Sequence, residues 1–115
     1  MMSTNLRDEI NQLHANICSG LADPNRILIL YTLADHPSNV TELAKSLESP
    51  QPTVSRHLKV LKERGMVKSE RDGQAVIYRL VDHRIIEALD LLRAMLADSL
   101  ENQAALAKTA SETIT

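Results

Sequence analysis

The apolar positions near the start of the chain follow the period of an amphipathic helix. They step by four, three and four residues, at Leu6, Ile10, Leu13 and Ile17. This spacing predicts a first helix over 5–18 with one apolar face. The pair Ser19-Gly20 predicts its end, because glycine takes the left-handed conformation that follows a last helical turn at little cost.

A second helix is predicted from Asn25 to Ala34. Asp23 offers an acceptor side chain at the N-cap, and the ring of Pro24 is already set for the first helical position. The run from Ile27 to Leu30 is apolar without a break, which predicts a helix buried nearly all round at the centre of the core. The turn residues His36-Pro37-Ser38-Asn39 predict its end.

Two short helices joined by a tight turn are predicted over 41–64, which is a helix-turn-helix. Val40-Thr41 can pair briefly as a strand before the first of them. Ser49 is the expected N-cap of the second helix, with Pro50 at its first helical position. Gly65 is the expected C-cap.

The alternation that follows predicts two strands, over 66–71 and 74–81, joined by a two-residue turn at Asp72-Gly73. Asp82 then caps a long final helix over 83–107, and the Thr- and Ser-rich tail from Lys108 is expected to fray. The apolar positions of this helix keep a near-heptad period, at Ile85, Leu89, Leu92, Leu96 and Leu100.

A helix-turn-helix followed at once by a hairpin is a winged helix. The predicted fold class is therefore mainly α with a small β-hairpin. We predict a single winged helix-turn-helix domain over 1–115, with its core over 5–107 and its wing over 66–81.

The charge distribution points to a partner for this fold. The net charge of the whole chain is −2, but residues 51–79 carry seven cations against three acids, a net +4, and the remainder carries −6. A basic block on an acidic body is typical of a small face that docks on nucleic acid. The alternative is an ordinary solvated charged face.

The predicted second helix of the helix-turn-helix supplies the chemistry for reading DNA. An apolar arc of Val54, Leu58 and Leu61 must pack inward, so the polar arc faces out, and a helix fits the major groove. Gln and Arg can bond adenine and guanine in bidentate fashion, and a cation at the hairpin tip can enter a minor groove. His57 is expected to be half-buried and either to have a structural role or to contact a phosphate. The predicted DNA-binding residues are Gln51, Thr53, Ser55, Arg56, His57, Lys59, Lys62, Arg71 and Gln74.

Other classes of protein receive less support. No apolar run reaches the length of a membrane span, and the N-terminus lacks the order of a signal peptide, so a cytoplasmic protein is expected. Three glycines are too few for a phosphate cradle, and no catalytic set is visible, so we predict neither an enzyme nor a cofactor. A winged helix that binds proteins instead of DNA stays an alternative, although it would be expected to lack these cations.

Four segments resemble the ArsR/SmtB family of bacterial winged-helix repressors: "LADPNRILILYTLA", "VTELAKSL", "PTVSRHLKVLKERGMV" and "RDGQAVIYRLVD". The resemblance covers about residues 21–82 and implies a homodimer that binds a palindromic operator in double-stranded DNA and is released by an effector. The turn departs from the family pattern. Members commonly have Gly-Leu-Ser where this chain has Glu48-Ser49-Pro50, so a turn glycine is missing.

The first and last helices predict an interface between two copies. Both keep apolar stripes that a small domain cannot cover, and exposed stripes of this length mark oligomer contacts. We therefore expect dimerisation through helices 5–18 and 83–107, which agrees with the resemblance. The predicted interface residues are Leu6, Ile10, Leu13, Ile17, Leu89, Leu92 and Leu96.

The resemblance also suggests where metal ligands would lie, and they are missing. Ala44 and Ser46 occupy the usual thiolate positions, and Asp82-His83 is out of register with the usual pair on the last helix. His14 and Cys18 share a helix face and, doubled by a two-fold axis, would offer a zinc set. We expect instead that Cys18 is a small buried apolar residue, with His14 at the rim. We predict no metal site and leave the effector open, with a metal- or thiol-responsive sensor as the alternative function.

Overall fold

The computed structural model describes residues 4–114, which form two compact units. The first, up to His83, is a winged helix, and the second is a single long helix; this order of elements confirms the predicted fold class. The elements are α1 (Thr4–Leu13), a π-helical turn (His14–Cys18), α2 (Pro24–Asp35), α3 (Val40–Leu47), α4 (Gln51–Glu63), β1 (Val67–Asp72), β2 (Ala75–Leu80) and α5 (Arg84–Ile114).

The first helix turns its predicted stripe to the surface. Leu6, Ile10 and Leu13 are 41%, 47% and 45% exposed, and within residues 4–83 α1 contacts no element except the π-helical turn that continues it. Gly20 does not have the left-handed conformation that the sequence predicted. A Cβ atom at this position would lie 2.7 Å from Sδ of Met66, so a larger residue here would require the buried Met66 side chain to shift.

The second helix is the centre of the winged-helix core, as predicted. The carboxylate of Asp23 accepts the backbone N–H of Asn25 at 2.8 Å, and Pro24 begins the helix. Ile29, Leu30 and Leu33 are buried, and α2 packs against α3, α4 and β2. The buried apolar residues of this unit are Ile29, Leu30, Leu33, Leu43, Ala44, Val54, Leu58, Leu61, Met66, Val67 and Leu80.

The segment before α3 forms its short strand pairing two residues earlier than predicted, and its partner is the wing. The bridge is formed by Ser38 and Tyr78, whose backbone groups exchange hydrogen bonds of 3.1 and 2.8 Å, and not by Val40-Thr41. The reason is a cap: the side chain of Asn39 accepts the N–H of Glu42, so the chain is already helical from Val40.

The turn between α3 and α4 replaces the missing glycine with a strained residue. Glu48 follows α3 with φ 52° and ψ 43°, in the left-handed region. The N–H of Glu48 donates to the carbonyl of Lys45, and that of Ser49 to Ala44, which is a Schellman motif. The predicted cap was wrong by one residue: Pro50 is the N-cap of α4, and the hydroxyl of Ser49 donates to Leu47 instead.

The wing is an antiparallel pair of strands whose turn is also displaced by one residue. Asp72 pairs with Ala75, so the loop is Gly73-Gln74 and not the predicted Asp72-Gly73. Gly73 has φ 64°, and Gln74 does not have positive φ. Glycine at the first loop position with positive φ is what a type II′ turn requires.

The last helix is longer than predicted. It begins at Arg84 and continues to Ile114 over 31 residues, beyond the predicted end at residue 107. Alanine, leucine, glutamine and lysine dominate 103–108, and these residues have high helix propensity. Within residues 4–114, no helix is long and apolar enough to cross a membrane.

Candidate nucleic-acid interface

We call α4 the recognition helix, because it is the second helix of the helix-turn-helix, which the sequence predicts to read DNA. Its buried face holds it in place. Val54, Leu58 and Leu61 are at most 1% exposed. Each fully buried Val or Leu contributes about 1.5–3 kcal/mol, so this face fixes the rotation of the helix about its axis. The opposite arc is exposed and polar: Gln51, Ser55, Arg56, Lys59, Lys62 and Glu63.

The first turns of α4 carry polar side chains in weak contacts with neighbouring hydroxyls. Nε2 of Gln51 donates to Oγ1 of Thr41 on α3 at 3.4 Å, and Nη2 of Arg56 donates to Oγ1 of Thr53 at 3.3 Å. Both distances are at the long end of the hydrogen-bonding range. These side chains can therefore exchange their present partners for base edges at little cost, and Ser55 is exposed beside them.

A lysine joins the recognition helix to the wing. Nζ of Lys62, in the last turn of α4, donates to Oγ of Ser69 on β1 at 2.8 Å. An ammonium group has three donors, so the contact leaves two of them for a phosphate. Lys59 is exposed one turn earlier. The sequence predicted both lysines at the surface, but it gave no sign of the contact with Ser69.

The wing places two of the predicted residues at its tip. Arg71 is exposed and pairs with Val76 across the ladder, and Gln74 is exposed in the loop. Farther from the tip, Nε of Arg79 lies 3.7 Å from a carboxylate oxygen of Glu70 on the partner strand. That nitrogen is buried and has no hydrogen-bond partner among the described residues, so the ion pair is its main compensation.

His57 is half-buried at the edge of the apolar arc, and the structure gives it a partner that the sequence did not suggest. Nη1 of Arg26 on α2 lies 3.4 Å from its Nδ1. The same guanidinium donates to the carbonyls of Gly20, at 2.8 Å, and Ser19, at 3.3 Å. The only available signal was that Arg26 is the single cation in α2.

The candidate sensor residues lie at the surface. Cys18 is exposed, which corrects the expectation of a buried thiol, and His14 is exposed as well. Ala44 is buried, whereas Ser46 and His83 are exposed. Among residues 4–114, no group of three or more His, Cys, Asp or Glu side chains is arranged to hold a metal ion.

Comparisons with known proteins identify the family. Residues 23–69 match the model of the bacterial regulatory proteins of the arsR family. An HTH-type transcriptional regulator of Methanocaldococcus jannaschii is 39% identical over 68% of this chain and 89% of its own length. The chain belongs to the arsR family.

Two further relatives show how far the likeness to this family extends. The HTH-type transcriptional repressor SmtB of Mycobacterium tuberculosis is 44% identical over 67% of this chain, which spans only 57% of that protein. A solution structure from Mycobacterium bovis, described as a homodimeric winged helix-turn-helix DNA-binding domain, has a TM-score of 0.74 at 26% identity. It covers 88% of this chain and 93% of its own. This family consists of regulatory proteins and not of enzymes.

Proposed function

We propose that this chain is a sequence-specific DNA-binding regulator of transcription, acting as a repressor. The observation that carries this proposal is the exposed polar arc of α4, held by a fully buried apolar arc in a winged helix. Such a helix can enter the major groove, where Gln51 and Arg56 reach base edges and Lys59 and Lys62 reach phosphates. The names of the mycobacterial and archaeal relatives support the same function.

The proposed repressor is a homodimer on a palindromic operator. On α1, Leu6, Ile10 and Leu13 are between 41% and 47% exposed, and on α5, Leu92 and Leu96 are 57% and 60% exposed. Such apolar stripes cost free energy in water unless a second copy covers them. Ile17 is half-buried and Leu89 is buried, so they contribute less than the sequence suggested. A two-fold axis between protomers implies two half-sites of opposite orientation.

Selection of bound genomic fragments, followed by sedimentation of the protein with and without the selected DNA, tests this proposal. We expect one enriched palindrome and a complex of two chains per site. The affinity should fall steeply with salt, because each neutralised phosphate releases counterions. A protein that enriches no sequence, or a monomer that binds with full affinity, would contradict it.

We also propose that this regulator acts in the cytoplasm.

A second candidate function, thiol- or metal-responsive regulation through His14 and Cys18, gains support from one observation. Both side chains are exposed, at the end of the helix that we place in the dimer interface. Modification of Cys18 would then add bulk at that interface. Titration of zinc, arsenite and a mild oxidant against the operator complex, with wild type and Cys18→Ser, tests it. Release of wild type alone supports the sensor, and equal behaviour of both proteins removes it.

A further inference from the structure

Arg26 connects three parts of the winged helix. Its side chain begins in the first turn of α2, donates from Nε to Gly20 at 2.8 Å and from Nη2 to Ser19 at 3.3 Å, and extends Nη1 to within 3.4 Å of His57. The two carbonyls belong to the last turn of the first helix. His57 belongs to the recognition helix, 31 residues farther along the chain than Arg26.

The contact with the first helix has a clear electrostatic reason. The last carbonyls of a helix lack backbone partners inside the helix and carry the negative end of its dipole. The guanidinium places a cation at this negative end; it gives the carbonyl of Gly20 a partner, and that of Ser19 a second one beside the N–H of Ala22 at 3.4 Å. Gly20 also lies close to Met66, so the end of this helix packs against the rest of the winged helix.

The contact with His57 constrains the imidazole ring. A guanidinium has only donors, so the ring nitrogen that faces it must be an acceptor. The contact therefore favours the form of the ring that carries its N–H on the other nitrogen, Nε2. The side chain of His57 makes no other hydrogen bond among the described residues, so an N–H at Nε2 is not used within the described chain. A neutral imidazole N–H at the flank of a recognition helix is a suitable donor for a phosphate oxygen.

We propose that Arg26 is a positioning residue for the recognition helix: it joins the end of the first helix to His57 and keeps the ring in the Nε2–H tautomer, ready to donate to the DNA backbone. This rests on the proposed function for the DNA contact. A displacement of the first helix, which we place in the dimer interface, moves the carbonyls of Ser19 and Gly20. Arg26 passes that movement to His57, and so to the pose of α4 on DNA.

Nitrogen NMR of the free protein tests the ring without DNA. In wild type we expect Nδ1 of His57 to resonate as an unprotonated nitrogen and Nε2 as a protonated one. In Arg26→Met we expect a mixture of tautomers, because the donor is gone. A wild-type ring that is protonated at Nδ1 would overturn the proposal. This readout does not depend on operator binding, so it separates the positioning role from the proposed function.

Operator affinity tests the coupling. Arg26→Met should weaken binding to the selected site by about 2- to 30-fold, the range for residues that couple sites without touching the ligand. The salt dependence should not change, since the phosphate contact that is weakened comes from an uncharged N–H and releases no counterion. Arg26→Lys keeps the positive charge but loses the planar guanidinium with its several donors, so its operator affinity should also be lower than that of wild type. The control is Lys108→Met, on α5 beyond the segment predicted to dimerise; it also removes one exposed positive charge and should leave the affinity unchanged.

A double-mutant cycle then asks whether Arg26 acts through His57. In a His57→Leu background, Arg26→Met should cause no further loss, because the two residues act as one unit. If Arg26→Met causes its full loss in the His57→Leu background, or if Lys108→Met causes an equal loss, the proposal is overturned. If melting curves show that Arg26→Met does not fold, the test rests on two other measurements: the operator affinity of Arg26→Lys and the tautomer of His57 in wild type. A wild type that binds no specific site refutes the proposed function and leaves the tautomer result standing.

Discussion

The turn between α3 and α4 allows backbone strain to be measured directly. Glu48 is the only non-glycine residue with positive φ among residues 4–114, at φ 52°. The left-handed conformation costs a residue with a Cβ atom about 1–2 kcal/mol, and glycine avoids this cost. Against this, glycine loses about 0.4–1 kcal/mol more conformational entropy on folding. The side chain of Glu48 is exposed, so Glu48→Gly should stabilise the chain by about 0.5–1 kcal/mol.

Thermal unfolding followed by circular dichroism measures this difference. For a domain near this size, 0.5–1 kcal/mol corresponds to a rise in Tm of about 2–6 °C. All variants must be melted at one protein concentration, because the Tm of a dimer depends on it. Glu48→Ala is the matched variant: it removes the carboxylate and keeps the Cβ atom, so it should stay within about 0.5 kcal/mol of wild type.

The turn after α4 supplies the reverse experiment. Gly65 closes a second Schellman motif, with φ 74°, and a Cβ atom there would meet nothing within 4 Å. Gly65→Ala therefore adds backbone strain without a clash and should destabilise by about 0.5–1 kcal/mol. The reasoning is refuted if Glu48→Gly is no more stable than Glu48→Ala, since the strain at Glu48 would then be compensated elsewhere.

Three further predictions concern the proposed operator complex. Arg56→Ala should cost about 1–3 kcal/mol and relax the preference at one base, whereas Lys59→Ala should weaken all sequences alike and flatten the salt dependence; competition assays with single-base operator variants separate the two. Arg71→Ala should weaken binding chiefly at sites with A·T-rich flanks, where narrow minor grooves concentrate negative potential, as measured on operators with exchanged flanks. Ile10→Glu or Leu96→Glu should yield monomers in sedimentation and abolish operator binding, because burying an unpaired carboxylate costs several kcal/mol.

Each of these has a clear contrary result. If Arg56→Ala and Lys59→Ala both keep wild-type affinity, α4 does not lie in the groove as proposed. Equal loss for Arg71→Ala on A·T-rich and G·C-rich flanks would indicate a plain phosphate contact. Dimers of Ile10→Glu that still bind the operator would place the interface elsewhere than on α1.

Features that depend on a few neighbouring residues were predicted well. The apolar period of α4 fixed which face is buried, because Val54, Leu58 and Leu61 must all point the same way from one helix. Asp23 and Pro24 began α2 as expected, since a cap and its N–H donors lie within three residues. Two local features were predicted one residue too early. The N-cap of α4 is Pro50 and not Ser49, and the hairpin loop is Gly73-Gln74 and not Asp72-Gly73.

The properties that decide how the site is held come from contacts that no local pattern contains. Gly20 packs closely against the side chain of Met66, and Lys62 donates to Ser69 on the wing. In the sequence, Arg26 is recognisable only as the single cation of α2. In the structure, its N–H groups connect the first helix to His57. The spacing of apolar residues along a helix predicts which face a residue lies on, but not which residues it contacts there. The residues proposed to contact DNA were therefore recognisable by type and face, whereas the residue proposed to position them emerged only from the packing.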